Sequence, residues 1–419
     1  MDFDYPGDDD PRRLAVREWR VGHPEPTQHD LAAAGYVAPH LPEPWGVDAD
    51  PIHQIIINQE LEGLKVRRRS SSEGTVGSNA IGVGWAAPTI LLGGSEEQKK
   101  RYLPKIFNHE EIWCQLFSEP DSGSDLANLA TRAVRDGDEY IVNGSKIWSS
   151  GAHGSDMGIL LARTDPDAPK HKGISYFICP MDTPGITMSP IVDMTTAHSF
   201  NQVFFDDMRL HESMRVGAEG DGWRLAKVTL ANERVSLSSS GSLWGEGPSA
   251  ETLLDLIRAA GGISDPVLRD KVARMHCHAE VLRLNRLRTL SAKLAGRTPG
   301  TEASIQKLMA DEHGQEVMEL AKELQGASGM LEGSGPAGRL GRGMGGGATE
   351  INFPRGDASQ FPDVDPVWHY GYLFSPALTL GGGTWAVQRN IVAEQVLGLP
   401  REPNIQQGMS WADTQRRTP

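Results

Sequence analysis

Three stretches of the sequence contain side chains that could do chemistry, and the first centres on Glu233. Its 3-4-3-4 spacing places it on one helix face with four apolar residues: Trp223, Ala226, Leu230 and Leu237. A carboxylate that is removed from water has a raised pKa, which a general base working near neutral pH requires. The same spacing also fits a carboxylate that pairs with Arg234 or lies at the wet edge of the stripe. The spacing alone leaves both interpretations open.

The second stretch is CQLFSEPDSGSDL, residues 114–126. Ser118, Ser122 and Ser124 alternate there with turn-forming residues, so we expect hydroxyls and backbone N–H groups to converge on one loop. Such a loop could cradle a phosphate or the polar edge of a heterocycle. An ordinary Asx-rich turn would give the same pattern.

The third stretch is NGSKIWSSGAHG, residues 143–154, in which Trp148 ends a predicted strand and two serines follow. A tryptophan followed by hydroxyls suits a flat ligand rich in heteroatoms, such as an isoalloxazine ring, whereas a core tryptophan at a strand end is the alternative. A glycine run, LGGGTWAVQRN at 380–390, opens a predicted helix. Its bare N–H groups favour an anion, but no side chain in the run can move a proton.

The composition indicates a large protein without a basic surface. With 419 residues, 38% of them apolar, the chain can bury a core divided over more than one subdomain. The net charge of −14 argues against nucleic acid or an anionic membrane as the main partner. No secretory signal or membrane-spanning stretch is evident, and three separated cysteines fit a reducing compartment. We expect a cytoplasmic protein without membrane insertion.

Helical, then strand-like, then helical segments must position these residues. IHQIIINQELEGL and GSEEQKKRYLPKIF predict helices, the second opened by a capping box of Ser95 and Gln98. Short β-branched or aromatic segments in the middle of the chain predict an antiparallel sheet or barrel. Helical spacing returns from Trp223, with Asp265 as a cap before a helix that begins at Pro266. This order predicts an α+β fold with a β layer between helical parts.

Five motifs occur in one order and at one set of distances: FSEPDSGSDL, KIWSSGAHGSDMGILLART, FNQVFFDDMRL, VGAEGDGWRLAKVTLANER and TWAVQRNIVAEQVLGLP. In this combination the chain resembles the acyl-CoA dehydrogenase family over most of its length. The resemblance implies an N-terminal helical domain over 1–113, a middle antiparallel β-barrel over 114–220 and a C-terminal four-helix bundle over 221–405. The bundle would carry a Gly/Pro-rich insertion at about 327–366, and 406–419 would form a tail.

The resemblance also implies a cofactor, a reaction and partners. FAD would lie between barrel and bundle at a subunit interface, and an acyl-CoA thioester would be dehydrogenated between its α and β carbons. A base would remove the α-proton while the β-hydrogen leaves as hydride to flavin N5. Electron-transferring flavoprotein would reoxidise the flavin. The acyl group is not identified, although a branched or bulky chain would suit the glycine run.

Matching positions in the motifs imply which residues would contact these molecules. The implied FAD contacts are Gln115, Phe117, Ser118, Ser124, Trp148, Ser150, Gln325, Gly326 and Thr384. The implied substrate contacts are Ser124, Arg234, Gly382 and Gly383. The stretch ELQGASG departs from the family's Gln-x-x-Gly-Gly pattern because the second glycine pair is not kept cleanly.

The position of the base also follows from the resemblance. Gly382 stands where many members carry a catalytic glutamate in a Tyr-Glu-Gly-Thr turn. A branch that includes isovaleryl and long-chain enzymes instead holds the base in a Glu-Arg pair on the first bundle helix, and this chain has that pair as Glu233-Arg234. Glu233 is therefore the implied base. Gly382 would keep its N–H as a donor to the thioester oxygen, so a Gly382→Pro change is expected to abolish turnover.

One departure leaves the assembly open. The stretch SLWGEGPSAETLL lacks the arginine and Phe-Gly with which the family usually grips a neighbouring subunit's FAD. The chain could form a homotetramer or a mixed tetramer with a related subunit. A half-active or non-catalytic subunit is one alternative function. A flavin monooxygenase of the same scaffold is another, but such members generally lack a base at either position.

The run Met275-His276-Cys277-His278 resembles a set of metal ligands. Adjacent and alternate positions on a helix diverge around its axis, so these side chains cannot meet at one ion. We therefore expect core or surface positions here, and no metal site.

Overall fold

The computed structural model describes residues 6–64, 66, 70–71, 74–75, 79–237, 242–244, 247–294, 302–330, 366–406 and 408–416. Residues 331–365 of the expected Gly/Pro-rich insertion lie outside these ranges. The α-helices of the described part are α1 Pro11–Gly22, α2 Gln28–Ala33, α3 Pro51–Leu61, α4 Ala87–Gly93, α5 Glu96–Phe107, α6 Gly222–Leu237, α7 Ala250–Ala259, α8 Pro266–Leu294, α9 Glu302–Leu324, α10 Pro366–Phe374, α11 Trp385–Ile391 and α12 Trp411–Arg416.

The strands lie between α5 and α6, apart from one short hairpin after α3. They are β1 Ser70–Ser71, β2 Gly74–Thr75, β3 Trp113–Leu116, β4 Arg132–Asp136, β5 Glu139–Lys146, β6 Met157–Arg163, β7 Ile174–Pro180, β8 Ile186–Ile191, β9 Phe200–His211 and β10 Arg215–Val216. The predicted order of helices, strands and helices is confirmed. No helix in the described ranges has both the length and the apolar character needed to cross a bilayer.

Two predicted helix starts are confirmed by their caps. The Ser95 hydroxyl accepts from the Gln98 N–H at 3.2 Å, and the Gln98 side chain accepts from the Ser95 N–H at 3.0 Å. Asp265 accepts from the N–H groups of Val267 and Leu268, at 2.7 and 3.1 Å. Because these acceptors satisfy N–H groups that the helix itself cannot, each cap fixes where α5 and α8 begin.

The main sheet runs in the order β10-β7-β6-β4-β5-β9-β8, with β3 beside β6. The expectation of a purely antiparallel sheet needs correction at β6, which pairs in parallel with β3 and β4. The β4–β5 hairpin and its flanking loops separate β3 from β6 in the chain, so they leave enough residues for the crossover that a parallel pair requires. The remaining pairs of this sheet are antiparallel.

The two faces of the sheet belong to different cores. Ile159 and Leu161 of β6 pack with α4, α5 and α6, whereas Leu160 and Ala162 of the same strand pack into the opposite face. This alternation follows from the period of two in a strand, and it explains why β6 is buried along its whole length. The first core joins α4, α5, the sheet and α6.

Helix α9 is the centre of the C-terminal helices, because it contacts α6, α8, α10 and α11. Its side chains at 3-4 spacing are buried, and they form the stripe Ser304, Lys307, Asp311, Gly314, Met318, Ala321 and Gln325. Two charged residues in a buried stripe are unusual. They matter for the site described below.

A buried ion pair fixes the loop after β3. Lys146, fully buried at the end of β5, donates to Glu119 at 2.7 Å and to the Phe117 carbonyl at 3.0 Å. Glu119 also accepts from the N–H groups of Ala130 and Thr131, at 2.7 and 2.9 Å. Burial raises the pKa of the Glu119 carboxyl, but the charge of Lys146 and these hydrogen bonds outweigh burial and lower it.

Substituting Lys146→Met should lower the free energy of unfolding by roughly 3–5 kcal/mol, because it leaves Glu119 buried without its counter-ion. Chemical denaturation of the variant measures this loss. The matched control is Lys172→Met, an exposed lysine whose loss should change the free energy of unfolding by less than about 0.5 kcal/mol. Equal losses in the two variants would show that the pair does not hold the loop.

Candidate active site

Glu233 lies on α6 where the helix faces the sheet. Only 8% of the residue is exposed, and its Oε2 accepts a hydrogen bond from Gln115 Nε2 at 3.3 Å. Gln115 belongs to β3, so this hydrogen bond crosses from sheet to helix. The alternative of an acid at the wet edge of its stripe is therefore wrong. The side chain of Arg234, the other alternative partner, lies outside the described residues.

Thr229, one turn before Glu233 on α6, fixes this face of the helix. Its hydroxyl lies 2.8 Å from the hydroxyl of Thr89 on α4 and 3.2 Å from that of Tyr176 on β7. All three side chains are fully buried. Since residues four apart share a helix face, these hydrogen bonds also direct Glu233 toward the sheet.

Trp148 lies two residues beyond the end of β5, not at the strand end itself. Its φ of 61° turns the chain, and its side chain is 57% exposed, so the alternative of a core tryptophan is wrong. The ring packs edge to face against Phe200 at 5.9 Å, and Phe200 packs against the C-terminal helical core. Trp148 therefore lies where sheet and bundle meet.

The residues after Trp148 present hydroxyls of two kinds. Ser149 is fully buried, and its hydroxyl has no hydrogen-bond partner among the described residues. Its backbone is fixed by mutual N–H to carbonyl hydrogen bonds with Asn201, at 3.0 and 3.1 Å. Ser150 is exposed. A buried hydroxyl without a partner is costly unless a ligand or water satisfies it.

The hydroxyls of the loop after β3 do not converge as expected. Ser122 is buried, and its hydroxyl donates to the Asp125 carbonyl at 2.8 Å, so it closes the turn on itself. Ser118 is half-buried and Ser124 is exposed, so those two remain available to a ligand. Phe117 is buried, with its ring edge to face against Tyr176 at 5.9 Å. The ordinary-turn interpretation is thus correct for Ser122.

The glycine run forms a turn in which backbone geometry dominates. Gly382 and Gly383 have φ of 67° and 87°, and Gln388 Nε2 donates to their carbonyls at 3.1 and 3.3 Å. Thr384 accepts from the Val387 N–H at 3.3 Å and so caps α11. A proline at Gly382 requires a φ near −65°, so that substitution breaks the turn whatever its N–H does. The Gly382→Pro test therefore cannot isolate the N–H.

Lys307 and Asp311 form a buried pair that the sequence patterns did not single out. Lys307 Nζ donates to Asp311 Oδ1 at 2.7 Å and to the Leu378 carbonyl, just before the glycine run, at 3.0 Å. Burial raises the pKa of Asp311 to about 7, against the opposing effect of Lys307. The charge of Glu233 also acts on Lys307. The signal that could have found them is their interruption of the 3-4 stripe of α9.

The remaining residues implied as FAD contacts lie at helix ends. Gln325, directly after α9, is fully buried, and neither polar atom of its amide bonds to a described residue. Gly326 follows it with a φ of 54°. In the described part of the chain, no hydrogen bond or ring contact joins Gln325 or Thr384 to Trp148. The structure thus joins Glu233 directly to Gln115, and among the described residues it shows no such contact between Trp148 and either Gln325 or Thr384.

Comparison with known proteins decides the family. The N-terminal, middle and C-terminal domain models of acyl-CoA dehydrogenases match residues 10–110, 114–208 and 220–353. The acyl-CoA dehydrogenase IpdE1 of Mycobacterium tuberculosis is 35% identical over 89% of this chain and 87% of its own length. The chain belongs to the acyl-CoA dehydrogenase family.

The chain is also similar to a longer relative and to two solved structures. The acyl-CoA dehydrogenase FadE34 of Mycobacterium tuberculosis is 37% identical over 92% of this chain, which spans only 48% of that relative. The structure of the Tcur3481-Tcur3483 steroid ACAD has a TM-score of 0.73 and 27% identity, covering 96% of this chain and 100% of that one. The ChsE4-ChsE5 complex from Mycobacterium tuberculosis has a TM-score of 0.71 and 28% identity, with the same coverage.

The family implies a flavin, and the residues at the junction of sheet and bundle fit one. Trp148 offers an exposed aromatic face, on which a flat ring can stack. Ser149 follows Trp148 in the chain, and its buried hydroxyl lacks a protein partner among the described residues. Gln115 and Ser118 add polar groups from the neighbouring strand and loop. A flat heterocycle with polar edges matches this combination.

Gly383→Ala should destabilise the protein more than a glycine replacement at a comparable φ elsewhere. The new Cβ would lie 2.6 Å from Gln388 Nε2, so Gln388 would move and lose its two hydrogen bonds to the turn. Gly398 has a φ of 67°, and a Cβ added there would meet no heavy atom within 4 Å, so Gly398→Ala carries the φ cost alone. We expect a difference of about 1–2 kcal/mol in the free energy of unfolding. No difference would mean that Gln388 does not fix the turn.

Proposed function

We propose that this chain is an FAD-dependent acyl-CoA dehydrogenase in which Glu233 removes the α-proton of an acyl-CoA thioester. The observation that carries the proposal is the buried carboxylate of Glu233, directed to the sheet and hydrogen-bonded by Gln115. A buried carboxylate with a specific hydrogen-bond partner is a candidate for a functional site. Family membership adds the reaction class.

The α-proton of a thioester is weakly acidic until its carbonyl oxygen is polarised. The proposed donors are the N–H groups of the Gly382–Gly383 turn. Gln388 donates to the carbonyls of both glycines, and Lys307 donates to the Leu378 carbonyl before them. These hydrogen bonds fix the turn and therefore the direction of its N–H groups. The glycines contribute backbone donors and space, and proton transfer is left to Glu233.

We propose that FAD is held by Trp148, Ser150, Gln115, Phe117, Ser118 and Ser124, with Thr384 at its adenosine side. Gln325 and Gly326 would contact the FAD of a neighbouring subunit. When bound, the flavin supplies the acceptor for the β-hydrogen and its electron pair, so that loss of the α-proton to Glu233 leaves a carbon–carbon double bond. The chain's own residues orient the thioester, exclude water around Glu233 and hold the abstracted proton there. Electron-transferring flavoprotein is the proposed electron acceptor.

A bulky acyl group is the proposed substrate class. A solved structure with 27% identity is described as a steroid ACAD, which supports a polycyclic thioester. The glycines of the turn are consistent with a wide acyl site, since side chains are absent there. Arg234 and Ser124 are the further substrate contacts that we propose from the family match.

A mixed tetramer with a related subunit is the proposed assembly. The ChsE4-ChsE5 structure is a complex of two named proteins, and this chain matches it over 96% of its length. The stretch SLWGEGPSAETLL also supports a mixed tetramer. It lacks the arginine that usually makes a charge-assisted contact to a partner's FAD. A half-active subunit therefore remains the second candidate function.

Glu233→Gln should lower the rate of flavin bleaching by acyl-CoA roughly 10²–10⁴-fold, because an amide cannot accept the α-proton. The FAD content per chain should stay unchanged. Stopped-flow absorbance under anaerobic conditions, with a panel of branched, long-chain and steroid thioesters, measures both quantities. Bleaching at the wild-type rate would exclude Glu233 as the base.

The control variant is Glu312→Gln, an exposed acid on α9 that pairs with Arg389 at 3.0 Å and should bleach normally. Each chain is tested alone and after co-expression with a related subunit. Purification without flavin, with activity only on co-expression, would support the half-active subunit instead. Oxygen-dependent hydroxylation without desaturation would support a flavin monooxygenase and contradict the proposal.

A further inference from the structure

Helices α8 and α9 bring three potential metal ligands together away from Glu233. His278 of α8 and His313 and Glu316 of α9 each offer one ligand atom, and these atoms lie within 4.8 Å of one another. Glu316 Oε2 is 2.7 Å from His278 Nδ1 and 3.4 Å from His313 Nδ1. The same carboxylate oxygen therefore faces both imidazoles.

The helical geometry explains why these residues meet. His313 and Glu316 are three positions apart, so they share one face of α9. His278 is the only member of the Met275–His278 run in this cluster, while His276 lies beside an apolar cavity with Arg258 and Arg269. We expect the Met275–His278 run not to bind a metal by itself. A site formed by His278 of that run and by two residues of α9 is compatible with this expectation.

The cluster has the chemistry of a site for a borderline divalent cation. Two imidazole nitrogens and one carboxylate oxygen form a common zinc ligand set, with the fourth position left to water. Bonds of about 2.0–2.1 Å in a tetrahedral site separate ligand atoms by about 3.3 Å, close to the distance between His313 and Glu316. The distance between His278 and Glu316 is shorter than this by roughly half an ångström, and the exposed side chain of His278 is free to adjust it.

Negative charge surrounds the cluster. Glu316 and Glu251 of α7 both act on His313 with their negative charge. A bound divalent ion would compensate the two carboxylates.

We propose that His278, His313 and Glu316 form a Zn²⁺ site that links α8 to α9. The site lies on the opposite side of α9 from Lys307 and Asp311, because residues 313 and 316 project about 180–240° around the axis from 307. It therefore stabilises the pairing of the two long helices and takes no part in proton transfer. This inference does not depend on the proposed function.

The test is a Zn²⁺ titration of the full, tag-free chain, with any bound flavin retained, after dialysis against a chelator. Isothermal titration calorimetry should give one Zn²⁺ per chain, and the melting temperature should rise with Zn²⁺ and return on adding chelator. Mg²⁺ at the same concentration should have no effect, since it prefers oxygen ligands. Absence of a one-to-one Zn²⁺ complex would overturn the proposal.

Variants locate the site. His278→Ala, at an exposed position where folding is not at risk, should weaken Zn²⁺ binding at least tenfold, and His313→Ala should do the same. The matched control is His276→Ala, two residues away on the same helix, which should bind Zn²⁺ as the wild type does. If His278→Ala binds normally, or His276→Ala loses binding equally, the contact between His278 and Glu316 is only a surface ion pair.

Discussion

The structure depends on keeping one carboxylate, Glu233, out of water between the sheet and the first bundle helix. A buried charge costs several kcal/mol unless hydrogen bonds and opposite charge compensate it. Gln115 supplies a hydrogen bond from β3, and Lys307 supplies a positive charge from α9. The strand β3 and the helices α6 and α9 must therefore be correctly placed before the cost of burying the Glu233 carboxylate is compensated. The buried hydroxyls of Thr229, Thr89 and Tyr176 fix that placement for α6.

Helix α9 serves both as a structural axis and as a carrier of charge. Its buried stripe holds Lys307 and Asp311, and a buried pair of this kind adds little net stability compared with apolar residues. We therefore infer that the Lys307–Asp311 pair serves to position neighbouring groups more than to stabilise the fold. Lys307 bonds to the Leu378 carbonyl, which leads into the glycine turn, so the helix ties the proposed base and the proposed oxyanion donors to one point. The opposite face of α9 contacts α8 through the pair of Glu316 and His278.

Local rules predicted much of the structure from the sequence, but only where the cause was local. The caps at Ser95 and Asp265, and the strand and helix order, depend on neighbouring residues and were confirmed. The helix period places Glu233 on an apolar stripe but leaves its exposure open, and the structure shows that it is buried. The parallel partners of β6 were not predicted, since they depend on contacts made far away in the chain. The sequence offered the ordinary turn that Ser122 forms only as one of two interpretations. Lys307 and Asp311 were visible as an interrupted stripe, yet the carbonyl that Lys307 binds, that of Leu378, is 71 residues away.

The glycine run has no side chain that can transfer a proton, and the proposed base, Glu233, lies on another element, α6. A side chain at Gly381 would collide with the ring of Trp244, and one at Gly383 would displace Gln388. Both glycines are therefore required by packing, independently of any ligand. At Gly382 the φ of 67° disfavours any side chain, a glutamate included. With the carboxylate on α6 instead, the turn needs only its backbone, and its geometry is set by Gln388, Trp244 and the cap at Thr384. The proposed base and the proposed backbone donors thus lie on separate elements, each stabilised by contacts that the other does not need.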